Sequence, residues 1–108
     1  MARARAELAL GVFVESVRHY LGAYIVALGG LDALVFTGGI GERSPEIRRR
    51  VCAGLEFLGI ELDAGRNAHA RADAIVSSDE SRVDIAAIRT NEELVVARQT
   101  AELLRQKG

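Results

Sequence analysis

The feature that most constrains the fold of this 108-residue chain is a short apolar run, which is followed at once by a glycine-rich turn and the start of a helix. Residues 34–36, Leu-Val-Phe, show no polar alternation, which is typical of a strand buried on both faces of a sheet. The turn over residues 37–43 follows. Ser44 can cap a helix whose first turn holds Pro45 and Glu46, because all three residues suit a helix N-terminus. This order predicts an α/β fold.

Hydrophobic periodicity predicts helices and short strands on either side of this unit. Apolar residues recur at helical spacing over residues 7–28 and extend almost all round the helix. We also expect a helix from residue 45 to Gly59, strands over 60–62, 74–76 and 83–88, a short helix within 63–73, and a last helix over 91–106. These few short strands cannot cover the apolar surfaces of such helices. The sequence therefore predicts that the chain is part of a larger sheet.

Composition excludes several classes of protein. The chain has 14 basic and 15 acidic side chains, which argues against a nucleic-acid-binding protein. Its most apolar stretch, residues 20–30, is about half the roughly 20 residues that a transmembrane helix needs, so no membrane association is expected. A single cysteine, Cys52, excludes an internal disulfide and suits a reducing cytosol. We therefore expect one cytoplasmic unit with no separate second domain.

The glycine turn allows several interpretations. Glycines let backbone amides approach a ligand, and the following helix N-terminus favours phosphate groups. No Gly-Lys-Ser/Thr follows, so the turn is not a P-loop. Gly39, Gly41 and Ser44 half match a dinucleotide-binding fingerprint, with Glu61 or Asp63 about twenty residues further on. A tight turn without a ligand is equally compatible with the glycines alone.

The segment Thr90-Asn91-Glu92-Glu93 is a second candidate for a site. Thr90 and Glu93 have the spacing of a capping box, which alone explains the pattern. In that arrangement Glu92 is left free. A carboxylate beside a nucleotide phosphate could then hold Mg²⁺ directly or through water.

The remaining polar residues suggest no further chemistry. Arg48, Arg49 and Arg50 are typical of a solvated helix face. His19 and His69 have no partner at metal-ligand spacing. Cys52 has no histidine nearby, so we expect a buried and inert thiol.

Four segments in order resemble the C-terminal part of the acetate kinase, or acetokinase, family. They are Phe36-Thr37-Gly38-Gly39-Ile40-Gly41-Glu42, Ser44-Pro45-Glu46-Ile47-Arg48, Gly54-Leu55-Glu56-Phe57-Leu58-Gly59-Ile60 and Thr90-Asn91-Glu92-Glu93-Leu94. The resemblance covers about residues 8–105 here and about the last quarter of a full enzyme. It implies the fold shared by actin, sugar kinases and heat-shock ATPases, with residues 1–108 forming a partial nucleotide-binding domain.

The resemblance also implies an activity and the residues that serve it. The family transfers phosphate between ATP and acetate, giving ADP and acetyl phosphate, with Mg²⁺. The implied nucleotide-binding residues are Gly39, Ile40, Gly41, Glu42 and Arg43, and the implied magnesium ligand is Glu92. The phosphate-binding arginines, the catalytic histidine and the acetate pocket of the family lie in segments that this chain lacks. We therefore expect no catalytic residue and no kinase activity in the isolated chain.

Two positions depart from the family pattern. Arg43 stands where the family usually has asparagine, and it could either pair with a phosphate or point to solvent. Arg89 stands where the family usually has proline. The change frees a backbone N–H and removes a restraint, so we expect a looser entry to the last helix.

Two alternatives to a nucleotide site remain open. The chain could be a non-catalytic remnant or association module, since exposed apolar helix faces would favour a homodimer or other self-association. A dinucleotide-binding half-domain is the less favoured alternative.

Overall fold

The computed structural model describes residues 2–37, 44–71, 73–89 and 94–97. Its elements are the helices α1 (Ala2–Leu28), α2 (Pro45–Cys52) and α3 (Ala64–His69), a 3-10 turn (Glu56–Leu58), and the strands β1 (Ala33–Phe36), β2 (Ala74–Ile75), β3 (Asp84–Ala87) and β4 (Leu94–Ala97). None of the helices in these segments is long and apolar enough to span a bilayer.

The four strands form one sheet in the order β2-β3-β1-β4. The central pair is parallel, with Ala33 opposite Asp84 and Phe36 opposite Ala87. The outer strands β2 and β4 run antiparallel to their neighbours. All four residues of β1 are buried, which confirms the expectation from its unbroken apolar run.

Helices α1 and α2 supply the core that packs with the sheet. The buried cluster joins residues from all three of these parts: Val14 and Leu21 of α1, Ile47 and Val51 of α2, and Leu34, Phe36 and Ile85 of the central strands. Burial of these side chains is what holds the helices in place, at about 1.5–3 kcal/mol for each fully buried large aliphatic side chain. The predicted helix over residues 7–28 is confirmed and begins five residues earlier, at Ala2.

Several large apolar side chains of α1 are exposed. Leu8, Val12, Tyr20 and Val26 are 69%, 61%, 66% and 84% exposed. Single exposed apolar residues are common on protein surfaces, but four large ones on one helix form a surface suited to contact with other protein. This exposure agrees with the expectation that so few strands cannot cover such an apolar helix.

The helix that follows the glycine turn is shorter than the sequence indicates. We expected it to reach Gly59, but α2 ends at Cys52, because Ala53, with a ψ of 128°, leaves the helical conformation and Gly54 has a φ of 76°. Leu55 and Leu58, which are apolar positions of the predicted helix, therefore lie at the 3-10 turn, which Gly59 ends with a φ of 85°. Both leucines still pack against the core, so the apolar spacing was informative although the helix is broken.

Two other expectations are wrong. The predicted strand over residues 60–62 is reduced to a single bridge between Leu62 and Ser77. The predicted last helix is contradicted at Leu94–Ala97, which forms β4; residues 91–93 and 98–106 lie outside the described residues. The adjacent Val95 and Val96 favour a strand, and pairing with β1 satisfies backbone groups that a free sheet edge would leave open.

Candidate functional site

The two segments expected to form a site follow the two parallel strands of the sheet. Residues 38–43 follow β1 and Thr37, whereas residues 90–93 follow β3 and Arg89. The carboxyl ends of parallel strands meet at one edge of a sheet, and ligands of open α/β sheets bind outside that edge. The backbone N–H of Ile88 donates to the carbonyl of Phe36 at 2.8 Å, so the ladder continues to this edge.

The residues expected to bind nucleotide and metal lie outside the described residues. These are Gly39, Ile40, Gly41, Glu42, Arg43 and Glu92. The residues on either side of them are described. Leu94, two positions after Glu92 in the chain, pairs with Phe36, one position before Thr37. The structure thus brings together, at one end of β1, the chain positions that flank both predicted segments.

The helix start after the glycine turn is as the sequence predicts. Ser44 is the N-cap of α2, and its Oγ accepts a hydrogen bond of 3.2 Å from the backbone N–H of Ile47. Pro45 occupies the first turn. A capped helix N-terminus carries partial positive charge, which suits an anion bound at the preceding turn.

The negative charge of Glu46, in this first turn, is balanced by two arginines of the same helix. Arg49 and Arg50 donate hydrogen bonds to the Glu46 carboxylate at 2.6 and 2.7 Å. The hydrogen bond from Arg49, followed by that from Arg50, lowers the pKa of Glu46 to about 2. Glu46 is therefore ionised at neutral pH, but its charge is balanced by two guanidinium groups, which limits its repulsion of an anion nearby.

Arg48 differs from the solvated residue that the sequence suggests. It is fully buried, at 0% exposure, and its Nε donates to Asn67 Oδ1 at 2.6 Å while Nη2 donates to the carbonyl of Asn67 at 3.0 Å. Asn67 in turn donates to the carbonyl of Pro45 at 3.0 Å. This Arg48–Asn67 pair fixes the first turn of α2 against α3. The helical period gave a signal, since position 48 lies three residues before the buried Val51.

A second arginine that the sequence did not single out holds the other end of α2. Arg18 of α1 donates from Nη1 to the carbonyls of Val51 and Ala53 at 2.7 and 2.9 Å. A cation at a helix C-terminus satisfies its last carbonyls and complements the dipole. Both ends of α2 are thus held by buried or half-buried polar side chains, which fixes the helix that begins at the glycine turn.

Arg89 makes a backbone contact that a proline could not make, whereas the expected looser entry to the last helix lies at residues 90–93, outside the described residues. Its N–H, which a proline would lack, donates to Asp73 Oδ1 at 3.1 Å. Asp73 has a φ of 63°, a left-handed conformation that aspartate tolerates better than most residues. The bond ties the segment leaving β3 to the residue before β2.

The geometry does not favour the dinucleotide alternative. Asp63 is the N-cap of α3 and accepts from the N–H of Arg66 at 2.8 Å. Glu61 accepts a 2.6 Å hydrogen bond from the hydroxyl of Ser78. The dinucleotide fingerprint needs such a carboxylate at the end of a second parallel strand, and residues 60–62 form no strand.

Other candidate ligands show no metal-binding arrangement in the described segments. No group of three histidine, cysteine or acidic side chains there could hold a metal ion. His19 and His69 are exposed. Cys52 is buried, and that burial raises the pKa of its thiol to about 12, as expected of an inert cysteine.

Comparison with known proteins relates almost the whole chain to one protein family. The model of the acetokinase family matches residues 1–98. The acetate kinase of Alkaliphilus metalliredigens is 48% identical over 100 residues, and that of Dictyoglomus turgidum is 50% identical over 103 residues. These matches cover 93% and 95% of this chain but 25% of each relative. The chain thus spans about a quarter of the length of the curated relatives it matches.

Solved structures show the same relationship. The crystal structure of Porphyromonas gingivalis acetate kinase matches with a TM-score of 0.75 and 32% identity, over 96% of this chain and 24% of that one. A propionate kinase from Francisella tularensis matches with a TM-score of 0.67 and 38% identity, over 82% of this chain and 22% of that one. Both matches confirm the expected fold, a short sheet flanked by helices as in actin-like ATPases.

Proposed function

The chain belongs to the acetokinase family, and we propose that it forms the C-terminal nucleotide-binding part of an acetate kinase. The observation that carries the proposal is the convergence at one end of β1. Thr37, which precedes the glycine turn, and the chain leaving β3 both adjoin this edge, and Ile47 in the first turn of α2 belongs to the same buried cluster as Phe36. Such an edge is where open α/β sheets bind phosphorylated ligands. Residues 1–108 then form one partial domain.

Each segment has a role in this proposal. Gly39, Ile40 and Gly41 let the backbone approach the nucleotide, and Glu42 and Arg43 lie at its edge. Glu92 supplies a carboxylate for Mg²⁺ beside the phosphates. These roles follow from the family resemblance and are supported by the position of the flanking residues in the sheet.

The chemistry of the donor set at this edge fits magnesium. Mg²⁺ prefers hard oxygen ligands and binds through one or two carboxylates together with substrate phosphates. Thr37, at the end of β1, adds a buried hydroxyl whose oxygen has no hydrogen-bond partner in the described parts of the chain. When bound, Mg²⁺ would supply charge neutralisation for the nucleotide phosphates.

The reaction itself belongs to the complete enzyme. There the acetate carboxylate would displace ADP from the γ-phosphorus of ATP, giving acetyl phosphate. In-line transfer needs cationic groups around the transferring phosphoryl and a pocket for acetate, which the family supplies from outside the matched quarter. We therefore propose that this chain alone binds nucleotide weakly and has no kinase activity. We also propose that the complete enzyme acts in the cytoplasm.

A calorimetric titration of ADP into the purified chain, with and without Mg²⁺, tests the proposal. We expect Mg²⁺ to strengthen ADP binding in the parent chain but not in Glu92→Ala, whose affinity for Mg²⁺–ADP should fall at least about tenfold. Glu80→Ala is the matched control, since Glu80 is an exposed carboxylate in the turn before β3, away from the proposed site. Equal Mg²⁺–ADP binding by the parent and Glu92→Ala, or no binding by a folded parent, contradicts the proposal.

A second function, self-association, is favoured by the exposed apolar side chains of α1. Leu8, Val12, Tyr20 and Val26 leave a large apolar surface on this helix. Sedimentation equilibrium of the parent and a Val12→Lys/Val26→Lys variant tests it. Self-association that disappears in the variant supports the association function, and a monomeric parent at high concentration contradicts it.

A further inference from the structure

A line of exposed residues runs along α1 at heptad spacing. Its members are alternately four and three residues apart, and every one of them is exposed: Leu8, Val12, Glu15, His19, Gly22 and Val26. A repeat of four and three residues keeps side chains on one narrow stripe of a helix, and this stripe is the seam along which the helices of a coiled coil meet. We call these six residues the heptad seam.

The core of the chain does not use the heptad seam. Val14 and Leu21 hold α1 in the buried cluster, and they lie on a different side of the helix. A shallow groove of about 530 Å³ follows the first half of the seam, where the small residues Gly11 and Ser16 lie beside it. At Gly22 an added Cβ would meet no atom within 4 Å. The seam can therefore receive a row of side chains from another helix without any change in the fold.

The heptad seam is complementary to itself when a second copy of the helix runs in the opposite direction. The opposed pairs are then Leu8 with Val26, Val12 with Gly22, and Glu15 with His19. The outer layers are apolar, and the central layers join a carboxylate to an imidazole, which can donate a hydrogen bond to it. Each pair occurs twice in a two-fold dimer. A parallel pair in register would instead oppose Glu15 to Glu15, and like charges disfavour such an arrangement.

The two central side chains of the seam have no partner in the described parts of the chain. Glu15 and His19 are exposed, and neither makes a hydrogen bond or ion pair there. Other polar residues of α1 are used within the chain, since Glu7 pairs with Arg50 at 3.2 Å and Arg18 holds the end of α2. A polar pair in the middle of an apolar seam fixes the register of two helices, which is a use that Glu15 and His19 can have only between copies.

We propose that α1 forms an antiparallel, two-fold helix pair with α1 of a second copy of this chain, in which Glu15 of each copy accepts a hydrogen bond from His19 of the other. The proposal rests on the self-association function and adds to it the surface, the orientation and the register. One helix from each copy makes a small interface, so the dimer should be weak and its population should depend on concentration.

Disulfide cross-linking tests the orientation of the two helices. The antiparallel pair brings position 8 of one copy beside position 26 of the other, whereas the two positions lie about 27 Å apart along a single helix. On mild oxidation, an equimolar mixture of Leu8→Cys and Val26→Cys chains should give at least about fivefold more covalent dimer than either chain alone. The parent, whose Cys52 is buried, is the control and should give none.

Sedimentation equilibrium of charge variants tests the central pair. His19→Glu opposes two carboxylates in both central layers, so the variant should dimerise at least about fivefold more weakly than the parent. The exchange Glu15→His/His19→Glu restores both pairs and should return the affinity to within about twofold of the parent. Phe57→Lys is the matched control, because Phe57 is 76% exposed but lies in the 3-10 turn, away from α1 in the chain; it should leave dimerisation unchanged.

Other outcomes overturn the proposal. A parent that stays monomeric up to about 1 mM refutes the self-association function and this dimer together. If the parent associates but Leu8→Cys cross-links with itself as readily as with Val26→Cys, the copies pair in another way and only this dimer is refuted. An exchanged variant that is folded by circular dichroism but does not recover affinity shows that Glu15 and His19 do not meet. Loss of association in Phe57→Lys places the contact outside the heptad seam.

Discussion

The buried Arg48–Asn67 pair gives the sharpest prediction about the energetics of the fold. Asn67→Ala removes the acceptor 2.6 Å from Arg48 Nε and the donor 3.0 Å from the carbonyl of Pro45. A hydrogen bond to a charged group contributes about 1.5–3 kcal/mol, and a neutral one about 1 kcal/mol. Alanine returns about 0.5 kcal/mol through its higher helix propensity in α3. The net loss should be about 2–3.5 kcal/mol, which is substantial beside the 5–15 kcal/mol typical of such a domain.

Urea unfolding followed by far-UV circular dichroism measures this loss. Arg49→Ala is the matched control, because the Arg49 side chain is 62% exposed and its ion pair with Glu46 should contribute under about 1 kcal/mol. In a double-mutant cycle, Arg48→Met should cost less stability in the Asn67→Ala background than in the parent, because the hydrogen bonds between the two side chains are already lost there. If Asn67→Ala is as stable as Arg49→Ala, or if the two changes at the pair are simply additive, the pair does not hold α2 against α3 and the reasoning is refuted.

Three further predictions concern the same helix. Because burial raises the pKa of Cys52 from 9.0 to about 12, the unfolded thiol ionises first, and stability should fall between these pH values at up to about 1.4 kcal/mol per pH unit. Urea titrations should show that this slope is smaller in Cys52→Ala; equal slopes would contradict it. Ser44→Ala should lower the free energy of unfolding by about 1 kcal/mol, and Ser44→Asp should retain it, since only aspartate can still cap the N–H of Ile47. The hydrogen bonds from Arg49 and Arg50 hold the pKa of Glu46 near 2, so an NMR titration should show its carboxylate protonating far below 4.5 and less so in Arg49→Ala. Its stabilising contribution is present above pH 4.5 and is lost as the pH falls towards 2; an unchanged midpoint in Arg49→Ala would refute the cause.

Local sequence signals were sufficient where one physical requirement decided the structure. The apolar run before Thr37 required a strand buried on both faces, and β1 is such a strand. Ser44 and Pro45 have few uses together other than a helix start, and α2 begins there. The long apolar period of α1 likewise predicted the helix, although not which of its faces the chain itself would cover.

The features that the sequence did not reveal depend on partners distant in the chain. The burial of Arg48 depends in part on Asn67, nineteen residues later, which accepts two of its hydrogen bonds. The sequence pattern around Leu94–Ala97 favours a helix, but this segment pairs with β1, so sheet pairing outweighs helix propensity there. For the candidate site, the glycine turn and Glu92 were proposed from pattern and resemblance. The shared edge of β1 and β3 required the parallel register, which no local pattern specifies.

Amide chemical-shift mapping of the ¹⁵N-labelled chain with Mg²⁺–ADP tests the central claim most directly, because it locates the nucleotide on the fold. The proposed site predicts the largest shifts at Thr37, at Ser44 and at residues 88–89, the described positions that flank the predicted segments along the chain. A different location would contradict the account. Shifts confined to the exposed face of α1, or to the cleft of about 460 Å³ that Arg49, Glu56 and Asn67 line beside α2, would show that this edge is not the nucleotide site.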